Sequence, residues 1–168
     1  MSAIIGTMVI AVGLMLQTAV FSRTPLIFGT VDIVLLLLIS WALQPSIKDW
    51  EVWYWTGLGA VFVGFISVVP AVVYIVTYLL VVIVVRWLQH KIWKGSVLFL
   101  FFSTALATLF QQSVVFGIVR LLNGVPLSLS DGFTLVMIPS LVLNLLFAFP
   151  VYLLMKDLAD WLNPEELY

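Results

Sequence analysis

Pro70-Ala-Val-Val-Tyr-Ile-Val-Thr-Tyr-Leu-Leu-Val-Val-Ile-Val-Val-Arg86 carries no charge before its last residue. An apolar stretch of this length, bounded by proline and by charge, reads as a transmembrane helix. Proline is well tolerated in a first helical turn, so Pro70 opens the helix, which is expected over 70–88. Its residues are Val, Leu, Ile and Tyr all round, and it is expected to face lipid.

Working outward, the same criteria place helices at 52–69, in a tight hairpin with 70–88, and at 26–43 before that. The second of these stops at Gln44-Pro45, and a charged turn, 46–51, follows it. Residues 3–22 form the first helix, which ends at Arg23-Thr24-Pro25. No Lys or Arg precedes it and its exit lacks a small-x-small pattern, so it reads as a retained span rather than a cleaved leader. Downstream, helices are expected at 95–122 and at 131–158, the last with Ser130 as N-cap and a run-on toward Trp161. About 27 residues at about 1.5 Å each exceed a hydrocarbon core of roughly 30 Å. These two helices must therefore tilt, kink or protrude, and Pro139 and Pro150 are the expected bending points of the last one.

Composition agrees. The 168 residues are 64% hydrophobic and 9% charged, with mean hydropathy +1.23. A soluble domain is nearer one half apolar and about a quarter charged, so lipid is the expected solvent. The fold class implied is all-α, one six-helix membrane domain over residues 1–168. A net charge of -1 and the absence of a long basic run argue against nucleic acid. With no cysteine, disulfides, thiolate metal sites and cysteine nucleophiles are excluded.

Orientation follows from cations. With six spans, Lys48, Arg86, Lys91, Lys94 and Lys156 share one side, against Arg23 and Arg120 on the other. Positive residues favour the cytoplasm, so both termini are expected inside. All seven tryptophans, Trp41, Trp50, Trp53, Trp55, Trp87, Trp93 and Trp161, fall toward that same face. An interfacial belt is the expected reading.

Catalytic groups are sparse. His90 is the single histidine and sits among cations, which reads as an interfacial residue. Ser103, Ser113 and Ser140 have no base in sequence reach, so no nucleophilic triad is supported. No cofactor, metal site or enzymatic activity is expected. Asp32 reads in two ways: a cap in the first turn of helix 2, or a contact with a partner or another helix. Polar and small residues form stripes at helical spacing. Thr104, Thr108, Gln111 and Gln112 mark the fifth helix, Ser140, Asn144 and Ala148 the sixth, and Gly57, Ala60 and Gly64 the third. Such stripes either pack a bundle or receive another protein's helix. Asn144 is expected to pair across helices with Gln111 or Gln112.

Taken together, Leu14-Met-Leu-Gln17-Thr18-Ala19, Val31-Asp32-Ile-Val-Leu-Leu-Leu-Leu-Ile-Ser-Trp41, the glycines of 57–64 and Pro139-Ser140-Leu-Val-Leu-Asn144-Leu-Leu-Phe-Ala148-Phe-Pro150 resemble the rod shape-determining protein MreD family. The likeness covers nearly the whole chain. Val31 departs from that family's proline before the acid, and Gly64-Phe-Ile-Ser-Val-Val-Pro70 lacks the acid that many members carry after the third helix. The resemblance implies a bacterial inner-membrane scaffold of the cell-elongation machinery. It would bind a bitopic MreC-like protein and link MreB filaments to peptidoglycan synthesis by the rod-complex glycosyltransferase and transpeptidase. Asp32, Gly57, Ala60 and Gly64 are the candidate interface residues, with capping or packing inside the bundle as the other reading. The resemblance also implies an architecture like that of energy-coupling-factor transporter binding subunits. A vitamin-binding subunit is therefore the alternative, and Ala3, Thr7 and Ala11 have the spacing its first helix would need.

Overall fold

The computed structural model of the chain describes residues 2–21, 29–67, 69–91, 97–123 and 128–163, and every regular element among them is helical. α1 is Ser2–Leu16 and continues through a π-helical stretch, Gln17–Phe21. α2 is Ile33–Ala42, α3 Asp49–Ile66, α4 Ala71–Lys91 and α5 Val97–Asn123. α6 starts as Leu129–Gly132, passes through a π-helical stretch, Phe133–Met137, and runs on as Ile138–Leu162. The expected stop at Arg23-Thr24-Pro25, the start of helix 2 at 26–28, and Trp93 and Lys94 lie outside the described residues.

Six helices are present among the described residues, but they are unequal. Ala71–Gln89, Val97–Leu122 and Ser130–Leu162 are long and apolar enough to cross a membrane. α2 has 10 residues, about 15 Å of helix. The span expected over 26–43 is thus corrected to a short helix preceded by non-helical backbone at 29–32. All of α2 is buried, and it packs against each of the other five helices. A helix that is apolar on every side belongs in an interior, and Ile33 to Ala42 has no polar residue but Ser40. The core is built around it.

α4 is the opposite case. Its Tyr74, Thr77, Tyr78, Val81, Val82 and Val85 are buried, while Val72, Val76, Leu80 and Ile83 are exposed. The expected all-round lipid-facing helix is in fact two-faced. The tryptophans also divide. Trp41 and Trp55 are wholly buried and stacked, 4.0 Å between ring centres and 4° between planes, so they belong to the core and not to a belt. Trp50, Trp53, Trp87 and Trp161 are exposed.

The α3–α4 hairpin is closed by small residues. A side-chain carbon on Gly64 would stand 2.6 Å from both Cα and Cβ of Ala71. Only glycine lets the two backbones come this close. At the other end of α4, Arg86 reaches back to the α2–α3 connection. Its guanidinium donates to the Ile47 carbonyl at 2.9 Å and pairs with Asp49 at 3.0 Å. Gln89 donates to the Leu43 carbonyl at 2.8 Å, which fixes the same turn.

α6 begins two residues earlier than expected. Ser128, not Ser130, caps it, accepting from the Asp131 backbone N–H at 3.1 Å. This is the Ser-x-x-acid pattern of a helix start. Pro139 follows the π-helical stretch directly, where the wider turn accommodates the missing N–H and the ring's clash with the preceding turn. Pro150 lies within the continuous helix.

Candidate functional site

Residues 29–32 are non-helical backbone among helices, and their amides need partners. α6 supplies them. Gly29 lies against its backbone: a side-chain carbon there would fall 2.5 Å from Pro139 Cβ and 3.0 Å from the Ser140 nitrogen. That closeness brings Ser140 Oγ to the Thr30 N–H at 3.0 Å and Asn144 Oδ1 to the Asp32 N–H at 2.9 Å. Ser140 and Asn144 are one helical turn apart on α6 and accept from alternate amides, those of Thr30 and Asp32.

The first turn of α2 leaves further donors free. Asp32 is its N-cap, and Oδ1 accepts from the Leu35 N–H at 2.9 Å. Gln17 Oε1, from the π-helical end of α1, accepts from the Val34 N–H at 3.2 Å. The other carboxylate oxygen of Asp32 accepts from the Tyr78 hydroxyl of α4 at 2.6 Å. Asn144 completes the junction by donating to Thr108 Oγ1 of α5 at 3.1 Å. Five helices thus meet at the start of α2 through side chains that are nearly all buried.

Of the candidate interface residues, Asp32 is 4% exposed and Ala60 is fully buried. Gly64 faces Ala71 within the same chain. Of the two readings, interface or bundle packing, these three hold packing positions within the chain. Gly57 alone is open, since a side-chain carbon there would meet nothing within 4 Å. For Asp32 the cap and the contact with another helix are both realised, in one carboxylate.

Gln111 and Gln112 are buried on α5 as the stripe suggested. The expected Asn144–glutamine pairing is replaced, however, by Thr108 and the Asp32 amide. Gln112 reaches only Thr30 Oγ1, at 3.4 Å. The Asp32–Tyr78 bond escaped the sequence reading because Tyr78 lay in a helix taken to be lipid-facing. A pair of tyrosines at i, i+4 on an otherwise aliphatic helix was the available signal.

Asn144→Leu leaves the Asp32 N–H and the Thr108 hydroxyl without partners. Interhelical bonds in membrane proteins contribute about 0.6–1.7 kcal/mol each, so the expected cost is about 1–3 kcal/mol. A fall in the unfolding midpoint in detergent measures it, and an unchanged midpoint would show the junction to be wrongly assigned.

The chain matches no protein-family model, no curated protein and no solved structure.

Proposed function

We propose that this chain is a multi-pass protein of the bacterial inner membrane, with both termini cytoplasmic. In this reading it is a non-catalytic scaffold of the cell-elongation machinery, bound to an MreC-like single-span partner. The membrane placement rests on an inside-out distribution of polarity. Ile4, Met8, Val12 and Met15 of α1, and Val142, Leu146 and Leu154 of α6, are exposed, while Thr104, Thr108, Ser140 and Asn144 are fully or almost fully buried. In water this arrangement would be strongly unfavourable, whereas in lipid each exposed face is solvated.

The partner reading rests on the sequence resemblance and on one face of α3. Trp53 at 40% and Tyr54 at 41% exposure stand one turn before the open notch at Gly57, and Phe65 at 80% exposure lies about two turns after it. A glycine notch between large apolar side chains is the form that lets another transmembrane helix approach closely. The junction at α2 weighs against the transporter alternative. In transporters a half-helix N-terminus near mid-membrane points at an anionic substrate group. Here the carboxylate of Asp32 already occupies that position. Of the spaced residues on α1, Thr7 bonds to its own helix and meets Tyr54 of α3.

Single cysteines at Ser46, Lys91 and Ser128 test the topology with an impermeant thiol reagent. Position 128 should label in intact cells and positions 46 and 91 only after lysis; the reverse pattern refutes the orientation. Gly57→Leu should release the MreC-like partner in a detergent co-purification, and rod-shaped cells relying on it should become round. Retention of a vitamin or of an ATP-driven transport module by the purified protein would instead establish the transporter reading.

A further inference from the structure

The junction at the start of α2 holds a charge that no described cation answers. Asp32 is 4% exposed, and both of its carboxylate oxygens accept hydrogen bonds, from the Leu35 N–H and from the Tyr78 hydroxyl. That is the bonding of an ionised carboxylate, since a neutral acid carries a proton on one oxygen and donates from it. A buried anion in lipid is costly without a counter-charge. Among the described residues the one ion pair is Arg86 with Asp49, at the other end of α4. Lys48, Arg120 and Lys156 are exposed, and none of them pairs with Asp32.

Unengaged oxygens lie at the same junction. Gln111 is 3% exposed, and its Oε1 has no hydrogen-bond partner. Its neighbours on α5 fix its place. One turn before it, Thr108 Oγ1 accepts from Asn144, the side chain that itself accepts from the Asp32 N–H. Directly after it, Gln112 Nε2 reaches Thr30 Oγ1 at 3.4 Å. The non-helical residues add carbonyl oxygens, for no backbone amide donates to those of Thr30 or Val31. Thr30 is exposed and Asp32 is buried, so this segment leads from the surface to the carboxylate within two residues.

Charge and chemistry name the occupant. Carboxylate, amide and carbonyl oxygens are hard donors, which suit hard cations rather than transition metals. One carboxylate cancels one positive charge, whereas a divalent ion would leave a charge uncompensated in the apolar interior. A proton would cancel the charge as well. It would, however, end the acceptor role of one Asp32 oxygen and leave Gln111 Oε1 unpartnered.

We infer that the start of α2 binds one small monovalent cation, with the Asp32 carboxylate as its counter-charge and Gln111 Oε1 as a neutral ligand. The inference rests on the membrane placement proposed above. Interrupted helices at membrane depth hold monovalent ions through such side chains and through the carbonyls of unwound backbone. The ion joins α5 to the α2 start, where the direct side-chain link is the 3.4 Å contact of Gln112 with Thr30.

Sodium is the probe. The protein purified in a mild nonionic detergent is unfolded thermally in sodium chloride or in choline chloride, at equal ionic strength and pH. Sodium should raise the midpoint saturably, by about 3–6 °C at roughly ten times its Kd. Asp32→Asn should abolish the shift. Gln111→Leu removes an oxygen that bonds nothing in the chain, so in choline its midpoint should match or exceed that of the wild type. In sodium its Kd should rise about tenfold or more. Equal midpoints of the wild type in sodium and choline overturn the inference, as does a full sodium shift in Gln111→Leu. A midpoint that follows pH but not sodium would mean that a proton neutralises Asp32, which overturns it too. A larger shift with magnesium than with sodium would refute the monovalent assignment. Recovery of the protein from the soluble fraction without detergent would refute the membrane placement itself. A membrane-bound protein indifferent to sodium would refute the ion site alone.

Discussion

Gly64→Leu should lower stability by about 3 kcal/mol or more, whereas Gly57→Leu, two turns earlier on α3, should change it by less than about 0.5 kcal/mol. The difference lies in what the new side chain meets. At Gly64 its first carbon already overlaps the Ala71 backbone, at 2.6 Å. Backbone cannot rotate away as a side chain can, and Pro70 fixes the entry to α4 just beside it. The hairpin would have to open, and with it the burial of Val63, Tyr74 and Tyr78 in the core. At Gly57 there is nothing to displace. Gly64→Ala should fall between, since it adds only the first, already overlapping carbon. Unfolding midpoints in detergent, with limited proteolysis at the hairpin, decide this. The pair also separates two meanings of a small-residue stripe. Gly64→Leu should lose the partner because the fold fails, and Gly57→Leu should lose it with the fold intact. A Gly64→Leu protein as stable as the wild type would mean that α3 and α4 do not approach as described.

Gly57, Ala60 and Gly64 could not be separated from the sequence because they share one helical face: at about 100° per residue the two glycines differ by only about 20° in phase. What separates them is height along α3. Gly64 lies beside Ala71 where the hairpin closes, whereas Gly57 meets nothing within 4 Å. In water such faces are marked by polarity. In an apolar chain the outward face is as apolar as the inward one, and that marker is gone. The same loss explains α2 and α4. Ile33-Val-Leu-Leu-Leu-Leu-Ile and Val81-Val-Ile-Val-Val look alike in composition, yet one is the buried axis of the core and the other is split between core and surface. What did remain legible was the polar part. Gln111, Gln112, Ser140 and Asn144 are buried in the stripes where they were read, while Asp32, read at a helix end within reach of water, is buried as well. Their pairing was not legible, because it runs through backbone amides of residues 29–32, and no side-chain pattern announces where a helix will stop short.

That short stop is why Asp32 should be among the most sensitive positions in the chain. Its two oxygens accept from two different helices' donors, the Leu35 N–H at 2.9 Å and the Tyr78 hydroxyl at 2.6 Å. Asp32→Leu removes both. Loss of the cap costs about 0.5–2 kcal/mol. The buried Tyr78 hydroxyl left without an acceptor costs about 1–3 kcal/mol more. The expected total is about 2–5 kcal/mol, read as a drop in the unfolding midpoint in detergent. Asp32→Asn has one acceptor oxygen in place of two, so it should keep one bond and lose the other, at about half that cost. Tyr78→Phe leaves a carboxylate oxygen unpaired and should also cost about 1–3 kcal/mol. The double variant Asp32→Asn with Tyr78→Phe is the informative one. The amide oxygen can then cap Leu35, and the tyrosine that competed for it is gone. The double variant should therefore be more stable than the sum of the singles predicts, by about 0.5–2 kcal/mol. Additive costs would mean that Asp32 and Tyr78 do not share a bond. If Asp32→Leu instead keeps its midpoint but fails to co-purify the MreC-like partner, Asp32 is a partner contact. The start of α2 must then be open in the assembled complex.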